Sequence, residues 1–194
     1  MSFKSHAKKQ AGKLQSNLDF KLMSFFFSLR DKFRKPINKV KKIGIQTGNT
    51  IIDYGCGPGS YTIPAAELTR PGGKVYAVDI HPLAIKKVKK KIKKYNVSNI
   101  ETIKTDCKMD IKDNSIDIIM CFDVFHAFGA KEGSILKEFC RVLDKNGFLL
   151  INDHHYQEDE LLSKVLNHEI FDLMRKEEDL YFWNLKRIRK ETEN

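Results

Sequence analysis

The residues Asp53-Tyr54-Gly55-Cys56-Gly57-Pro58-Gly59-Ser60 form a glycine-rich loop between a short apolar run, Thr50–Tyr54, and a helical pattern at residues 61–69. Glycines allow a tight turn and let the backbone approach a ligand closely. The helix that follows presents free N–H groups at its first turn. Because open α/β sheets bind ligands at the carboxyl ends of their strands, this loop predicts a ligand site.

Apolar runs alternate with helical patterns along the rest of the chain. The runs lie at Lys74–Asp79, residues 100–106, Ile116–Phe122 and residues 147–153, and the helical patterns at Pro82–Tyr95 and residues 133–143. This alternation predicts an α/β fold whose parallel sheet is covered on both faces. In the tail, residues 158–166 read as a helix, and residues 170–175 and 181–188 as two strands that pair antiparallel. A helix over residues 161–176 is the alternative.

Two carboxylates distinguish between possible nucleotide ligands. Asp79 ends the second apolar run, where its side chain could accept hydrogen bonds from both ribose hydroxyls. The glycine spacing, Gly55-x-Gly57-x-Gly59, differs from the G-x-G-x-x-G of dinucleotide-binding loops. Asp53 would repel a pyrophosphate and attract an amino group. The pattern therefore favours S-adenosylmethionine (SAM), which carries an amino group and a sulfonium but no phosphate, over a nicotinamide dinucleotide.

The segment Asp53–Gly59 resembles motif I of class I SAM-dependent methyltransferases. From about residue 22 to residue 190, the chain resembles their small-molecule subgroup, which includes ubiquinone/menaquinone-biosynthesis methyltransferases. The resemblance implies a Rossmann-like three-layer αβα sandwich around a seven-stranded, mostly parallel sheet. Its strand order would be 3-2-1-4-5-7-6, with an antiparallel C-terminal strand. It also implies methyl transfer from SAM to a small-molecule acceptor.

The resemblance implies a set of cofactor-binding residues by position. Asp79 would hold the ribose, Ile80 would pack beside the adenine, and Asp106 would bind the adenine amino group. The full set is Asp53, Tyr54, Gly55, Cys56, Gly57, Gly59, Tyr61, Asp79, Ile80, Asp106, Cys107 and Phe122.

Polar groups that follow the fourth and fifth strands include the candidates for catalysis. The groups are Asp123, His126, Asp153, His154, His155 and Tyr156, and the catalytic candidates among them are Asp123, His126, His154 and His155. These groups could act as a general base or hydrogen-bond the acceptor, and the alternative is a capped surface turn. Adjacent histidines in an extended chain point to opposite faces, so we expect no metal ion to be bound by His154 and His155 together.

The positive charge is concentrated at the N-terminus. The net charge is +10, and residues 1–48 hold 12 Lys/Arg against 2 Asp/Glu, whereas residues 49–194 hold 23 of each. We therefore divide the chain into a basic N-terminal helical arm or lid, residues 1–48, and a methyltransferase domain, residues 49–194. A basic arm suggests contact with an anionic partner such as a membrane surface, and a solvated lysine-rich face is the alternative.

Apolar residues recur with helical spacing inside the arm. They are Leu18, Leu22, Phe25, Phe26 and Leu29. They could line an apolar pocket beneath a lid, and the alternative, which we favour, is a helix that simply packs on the domain.

Two other functions stay open. An RNA methyltransferase would explain the basic arm, but basic and aromatic residues do not interleave as a stacking surface needs, so a nucleic-acid partner is disfavoured. A SAM-binding accessory protein without activity would carry the same loop.

Location and assembly are addressed only weakly by the sequence. The four cysteines form no C-x-x-C pair, and no secretory signal or apolar run of about 18 residues is present, so we expect reduced thiols and a cytoplasmic location. The sequence does not indicate an oligomeric state.

Overall fold

The computed structural model describes residues 15–186 of the chain. Within that range the helices are α1 (Asn17–Phe33), α2 (Pro36–Lys41), α3 (Thr62–Leu68), α4 (Pro82–Tyr95), α5 (Glu132–Val142) and α6 (Glu158–Leu166). The strands are β1 (Thr50–Tyr54), β2 (Lys74–Asp79), β3 (Ile100–Lys104), β4 (Ile116–Phe122), β5 (Leu143–Asn152), β6 (Phe171–Glu177) and β7 (Leu180–Leu185).

These strands form one sheet in the order β3-β2-β1-β4-β5-β7-β6. Neighbours from β3 to β5 pair in parallel, whereas β7 pairs antiparallel with both β5 and β6. The predicted fold class, strand order and C-terminal hairpin are confirmed, and the helical alternative for residues 161–176 is wrong beyond α6. The order reverses between β1 and β4, which opens a crevice above their carboxyl ends.

Helices cover both faces of the sheet. Side chains of α5 and α6, such as Phe139 and Val165, pack with Ile52 of β1 on one face. Ala65 of α3 packs with Ile51 on the opposite face, because successive strand residues point to opposite sides. Central strands are buried on both sides, as in β4, where six of seven residues are buried.

Helix α4 begins at a well-formed cap beside the crevice. The His81 ring accepts a hydrogen bond from the Leu83 N–H at 3.1 Å, and Pro82 occupies the first turn, where no N–H is needed. Asn96 ends the helix in the left-handed conformation, φ 50°. The cap fixes the short connection from Asp79 into α4.

Helix α1 lies over the carboxyl ends of the strands. Its Phe20 is buried and stacks on the His81 ring, with centroids 4.3 Å apart. The His81 Nε2 atom lies 3.1 Å from the Gln15 carbonyl oxygen. Among the described residues, no helix is long and apolar enough to span a bilayer.

Candidate active site

A cavity of about 320 Å³ opens above the carboxyl ends of β1, β2 and β4. Ten of the sequence-predicted cofactor residues line it: Asp53, Tyr54, Gly55, Cys56, Gly57, Tyr61, Asp79, Ile80, Asp106 and Phe122. Gly59 and Cys107 are not part of the lining. The volume is that of a small-molecule site.

The glycine loop turns sharply beneath this cavity. Gly55 has φ 72° and donates its N–H to the Val78 carbonyl at 2.8 Å. A Cβ atom at Gly55 would lie 2.4 Å from Val124 Cγ2. A Cβ atom at Gly57, where φ is 51°, would have the Gly55 carbonyl oxygen as its nearest neighbour at 4.0 Å, so open space faces this residue. A ligand could therefore contact the Gly57 backbone directly.

Asp79 fixes both the loop and the helix cap. One carboxylate oxygen accepts the Gly57 N–H at 2.8 Å and the other accepts the His81 N–H at 2.7 Å. Burial raises the pKa of Asp79, and these two hydrogen bonds oppose that effect. Each carboxylate oxygen has two lone-pair directions, so both oxygens can accept a further hydrogen bond from a ligand hydroxyl.

Asp53 is buried beneath the loop. One of its oxygens accepts the Thr62 hydroxyl at 2.5 Å. Burial raises the pKa of Asp53 to about 7, the Thr62 hydrogen bond lowers it in part, and the Asp79 charge raises it. Lys91, whose Nζ lies 3.3 Å from the Gly59 carbonyl oxygen, contributes a smaller lowering effect. A cationic ligand group would meet this carboxyl and favour its charged form.

Helix α1 roofs the cavity with a face that the sequence analysis did not identify. Phe20, Met23, Phe27 and Arg30 line the cavity. The interpretation that Leu18, Leu22, Phe25, Phe26 and Leu29 line it is wrong, since all five side chains are exposed. Helix α1 is apolar on two opposite faces, and spacing alone does not show which face is buried.

A polar link joins this roof to the glycine loop. The Ser60 hydroxyl donates to Asp31 of α1, and the other Asp31 oxygen accepts from the Arg30 guanidinium at 2.8 Å and 3.1 Å. The same guanidinium lies 4.5 Å from the centroid of Phe27. Positions of the helix and of the loop are therefore coupled.

The ends of β4 and β5 carry the predicted catalytic residues. Asp123, which adopts φ 50°, and His126 line the cavity, whereas His154 and His155 do not. The rings of His154 and His155 lie side by side, with centroids 4.0 Å apart. The expectation that they point to opposite faces is wrong, because the chain turns at residues 154–155 and is not extended there.

Asp153 organises this group of histidines. Its side chain is fully buried and accepts four hydrogen bonds, from the backbone N–H and the Nδ1 of both His126 and His155, at 2.8–3.0 Å. Burial alone would raise the pKa of Asp153, but the His126 hydrogen bond and charge prevail and lower it to about 2. Asp153 is thus an ionised anchor that holds the His126 ring at the cavity.

Four groups in this region could approach one cation. The ligand atoms of Asp123, Asp153, His154 and His155 lie within 4.8 Å of one another. These side chains also hydrogen-bond to one another, since His154 Nδ1 lies 2.5 Å from Asp123 Oδ1 and His155 Nδ1 lies 2.9 Å from Asp153 Oδ1. That His154 and His155 together bind no metal ion therefore stays a prediction.

The sequence analysis named Asp153 among the polar groups at the strand ends but missed two other site residues. Lys131, which pairs with Asp106 at the cavity edge, had no signal in the sequence. Neither did Arg30, because its role depends on how α1 packs across the sheet.

Comparison with known proteins identifies relatives of this chain. Residues 45–191 match the family model described as "Methyltransferase domain". A demethylmenaquinone methyltransferase of Geobacillus stearothermophilus is 29% identical over 121 residues, which cover 60% of this chain and 49% of that protein. A ubiquinone/menaquinone biosynthesis C-methyltransferase of Pseudomonas savastanoi pv. phaseolicola is 28% identical over 137 residues, which cover 68% and 52%. The chain spans about half the length of these two curated relatives.

A solved structure shares the fold. The crystal structure of a SAM-dependent methyltransferase from Aquifex aeolicus superimposes with a TM-score of 0.71 at 23% sequence identity. The matched region covers 79% of this chain and 90% of that one.

Proposed function

This chain belongs to the methyltransferase-domain family, and from that premise we propose that it transfers the methyl group of S-adenosylmethionine to a small-molecule acceptor. The matched family and the Aquifex aeolicus fold relative imply S-adenosylmethionine as the cofactor. One observation carries the proposal: the buried Asp53 carboxyl lies under a glycine loop that is open at Gly57 and held by Asp79.

The residues of the cavity fit this cofactor. Asp53 would face the amino group of the methionine moiety, and Asp79 would accept the ribose hydroxyls. Ile80 is 43% exposed and offers an apolar surface beside the adenine. Open space at Gly57 lets the ligand lie against the backbone. When bound, the cofactor supplies an electrophilic methyl group on a sulfonium.

Apolar side chains form much of the cavity wall. Phe20, Met23 and Phe27 of α1 contribute to it, together with Phe128 and Ile135. Such walls exclude water and would hold a small, largely apolar acceptor by surface burial. The two curated relatives are named for quinone methylation, which supports an acceptor with an apolar ring. Much of the rate enhancement would come from aligning that ring with the methyl group.

His126 is the candidate general base. Its Nδ1 lies 2.9 Å from Asp153, and this hydrogen bond leaves Nε2 to accept a proton from the acceptor. Asp153 would stabilise the positive charge that forms on the ring. Asp123 lines the cavity nearby and could hydrogen-bond the acceptor. His154 and His155 lie outside the lining, so we assign them positioning roles.

Calorimetry with the full chain tests the proposal. We expect SAM and its demethylated product to bind, NAD to give no heat, and Asp79→Ala to weaken SAM binding about tenfold or more, the size of a lost charged hydrogen bond. His126→Asn is the matched control, because it should leave SAM affinity unchanged. If neither SAM nor its product binds, the proposed function is wrong. Cofactor binding without turnover of any apolar ring acceptor would instead indicate the accessory protein.

A further inference from the structure

The outer face of α1 carries an unusual concentration of exposed apolar side chains. Eleven large hydrophobic residues are exposed among the described residues, and six of them lie on this helix, 44% to 82% exposed. They are Leu18, Leu22, Phe25, Phe26, Leu29 and Phe33. We propose that this outer face of α1 docks on an anionic membrane surface.

Helix geometry collects these six side chains into one stripe. At about 100° per residue they fall within an arc of about 100° on the helical wheel. Phe20, Ser24 and Phe27 lie on the opposite side of the wheel and face the protein, where Phe20 and Ser24 are buried. The stripe is therefore continuous, faces away from the domain, and has the width of an apolar face that normally packs against something.

Charges beside the stripe indicate an anionic partner. Lys21 and Lys32 adjoin it on one edge of the wheel, and Lys35 follows the helix; all three are exposed. Both acidic residues of α1 are engaged, Asp31 with Ser60 and Arg30, and Asp19 with Ser16 at the helix start. Because the inner face of α1 is already packed on the domain, its outer face presents large apolar side chains flanked by lysines, which is the pattern that lies in the interface of an anionic bilayer.

The same charges argue against a second copy of the chain as the occupant. Residues 1–48 hold 12 Lys/Arg and 2 Asp/Glu. A two-fold contact through the outer face of α1 would bring two such basic regions together, because each copy presents the same patch to the other. Anionic lipid headgroups would instead neutralise this charge while the stripe enters the acyl boundary.

Docking in this orientation would place the cavity at the lipid surface. The inward face of α1, with Phe20, Met23 and Phe27, lines the cavity, while its outward face would lie in the membrane. A lipophilic acceptor could then pass from the bilayer past one helix into the site without crossing water. This consequence rests on the proposed function, whereas the docking itself does not.

Vesicle sedimentation with the full chain tests the docking. Vesicles of phosphatidylcholine alone are compared with vesicles that also contain phosphatidylglycerol. We expect binding to the anionic vesicles that weakens with salt, and a loss of about tenfold or more in Phe25→Ser/Phe26→Ser, because two large apolar side chains are removed. The matched control is Leu173→Ser/Met174→Ser, which removes two exposed apolar side chains from β6 and should bind like the wild type.

Three results would overturn the proposal. These are no binding to the anionic vesicles, equal binding by Phe25→Ser/Phe26→Ser, or a wild-type dimer in sedimentation velocity that this variant abolishes. SAM calorimetry on the same samples separates the two proposals. Vesicle binding without SAM binding would contradict the proposed function and support the docking. SAM binding without vesicle binding would support the proposed function and contradict the docking.

Discussion

Asp53 is the residue whose protonation should control cofactor affinity. Its pKa is raised to about 7, chiefly by burial, so part of the population is uncharged near neutral pH. A ligand ammonium favours the carboxylate, and binding below that pKa must therefore release a proton. We expect SAM affinity to rise by up to about tenfold per pH unit as pH approaches 7 from below, and then to level off.

Calorimetry on both sides of this pKa measures the effect. The control is Asp53→Asn, which keeps a hydrogen-bond partner for Thr62 and should bind SAM weakly with a flat pH profile. Asp79 also has a raised pKa, and Lys91 lies nearby, so an unchanged slope in Asp53→Asn would assign the titration to one of these neighbours. The sign for stability is the reverse: because the folded pKa is raised, the contribution of Asp53 to folding declines as pH rises from 3.8 to about 7.

Gly55 and Gly57 form a matched pair of test positions. Both have positive φ, so alanine costs about 1–2 kcal/mol of backbone strain at either. Gly55→Ala also drives a methyl group into Val124 and should lower stability further. Gly57→Ala places its methyl group in open space, so this variant should be more stable than Gly55→Ala. It should still lose SAM affinity, because the methyl group occupies space that the ligand would use. Thermal unfolding and calorimetry on both variants check this, and equal losses of stability would contradict the described loop geometry.

At the scale of elements, the bond between Ser60 and Asp31 should position α1 over the cavity. Ser60→Ala removes the link, while Phe20 stays packed on His81. We expect a melting temperature close to wild type and a several-fold higher KM for the acceptor. Ser16→Ala is the control: it removes the cap of α1 at the Asp19 N–H, costing about 1 kcal/mol, without touching the loop. A higher KM in the control alone would refute the positioning role.

The histidine and aspartate groups at the ends of β4 and β5 should work without a metal ion. The Nδ1 atoms of His154 and His155 already hydrogen-bond to the carboxylates of Asp123 and Asp153, which holds the group together without an ion. Dialysis against a chelator should therefore leave SAM binding and methyl transfer unchanged. Activity that is lost on dialysis and restored by zinc alone would contradict this prediction.

Sequence patterns predicted the sheet strands well because a parallel strand buried on both faces is a continuous apolar run. Thr50–Tyr54, Lys74–Asp79 and Ile116–Phe122 have the predicted bounds. Strand β5 begins at Leu143, four residues before the prediction, since its polar start pairs with β4 through an irregular register. The turn at His154 was missed, because alternation rules apply only while the chain stays extended.

For the whole molecule, the parallel α/β architecture followed from the alternation of elements, and the strand order followed from the family resemblance. The cofactor side of the cavity followed from the glycine loop, whose chemistry is local in sequence. Its roof could not be predicted, because Phe20 and Arg30 reach the cavity only through the packing of α1 across the sheet. Both faces of α1 are apolar, so the spacing of its apolar residues does not tell the face that lines the cavity from the face that is exposed.

The contact between Ser60 and Asp31 has a thermodynamic consequence for the whole molecule. This hydrogen bond joins the glycine loop, which would hold the cofactor, to α1, whose outer face is exposed. Any partner that shifts α1 and thereby changes cofactor affinity by some factor must itself be bound more tightly or more weakly by that same factor once the cofactor is present. Through the Ser60 hydroxyl, cofactor binding would then change the affinity of α1 for a surface, and binding of α1 to that surface would change the affinity for the cofactor by the same factor.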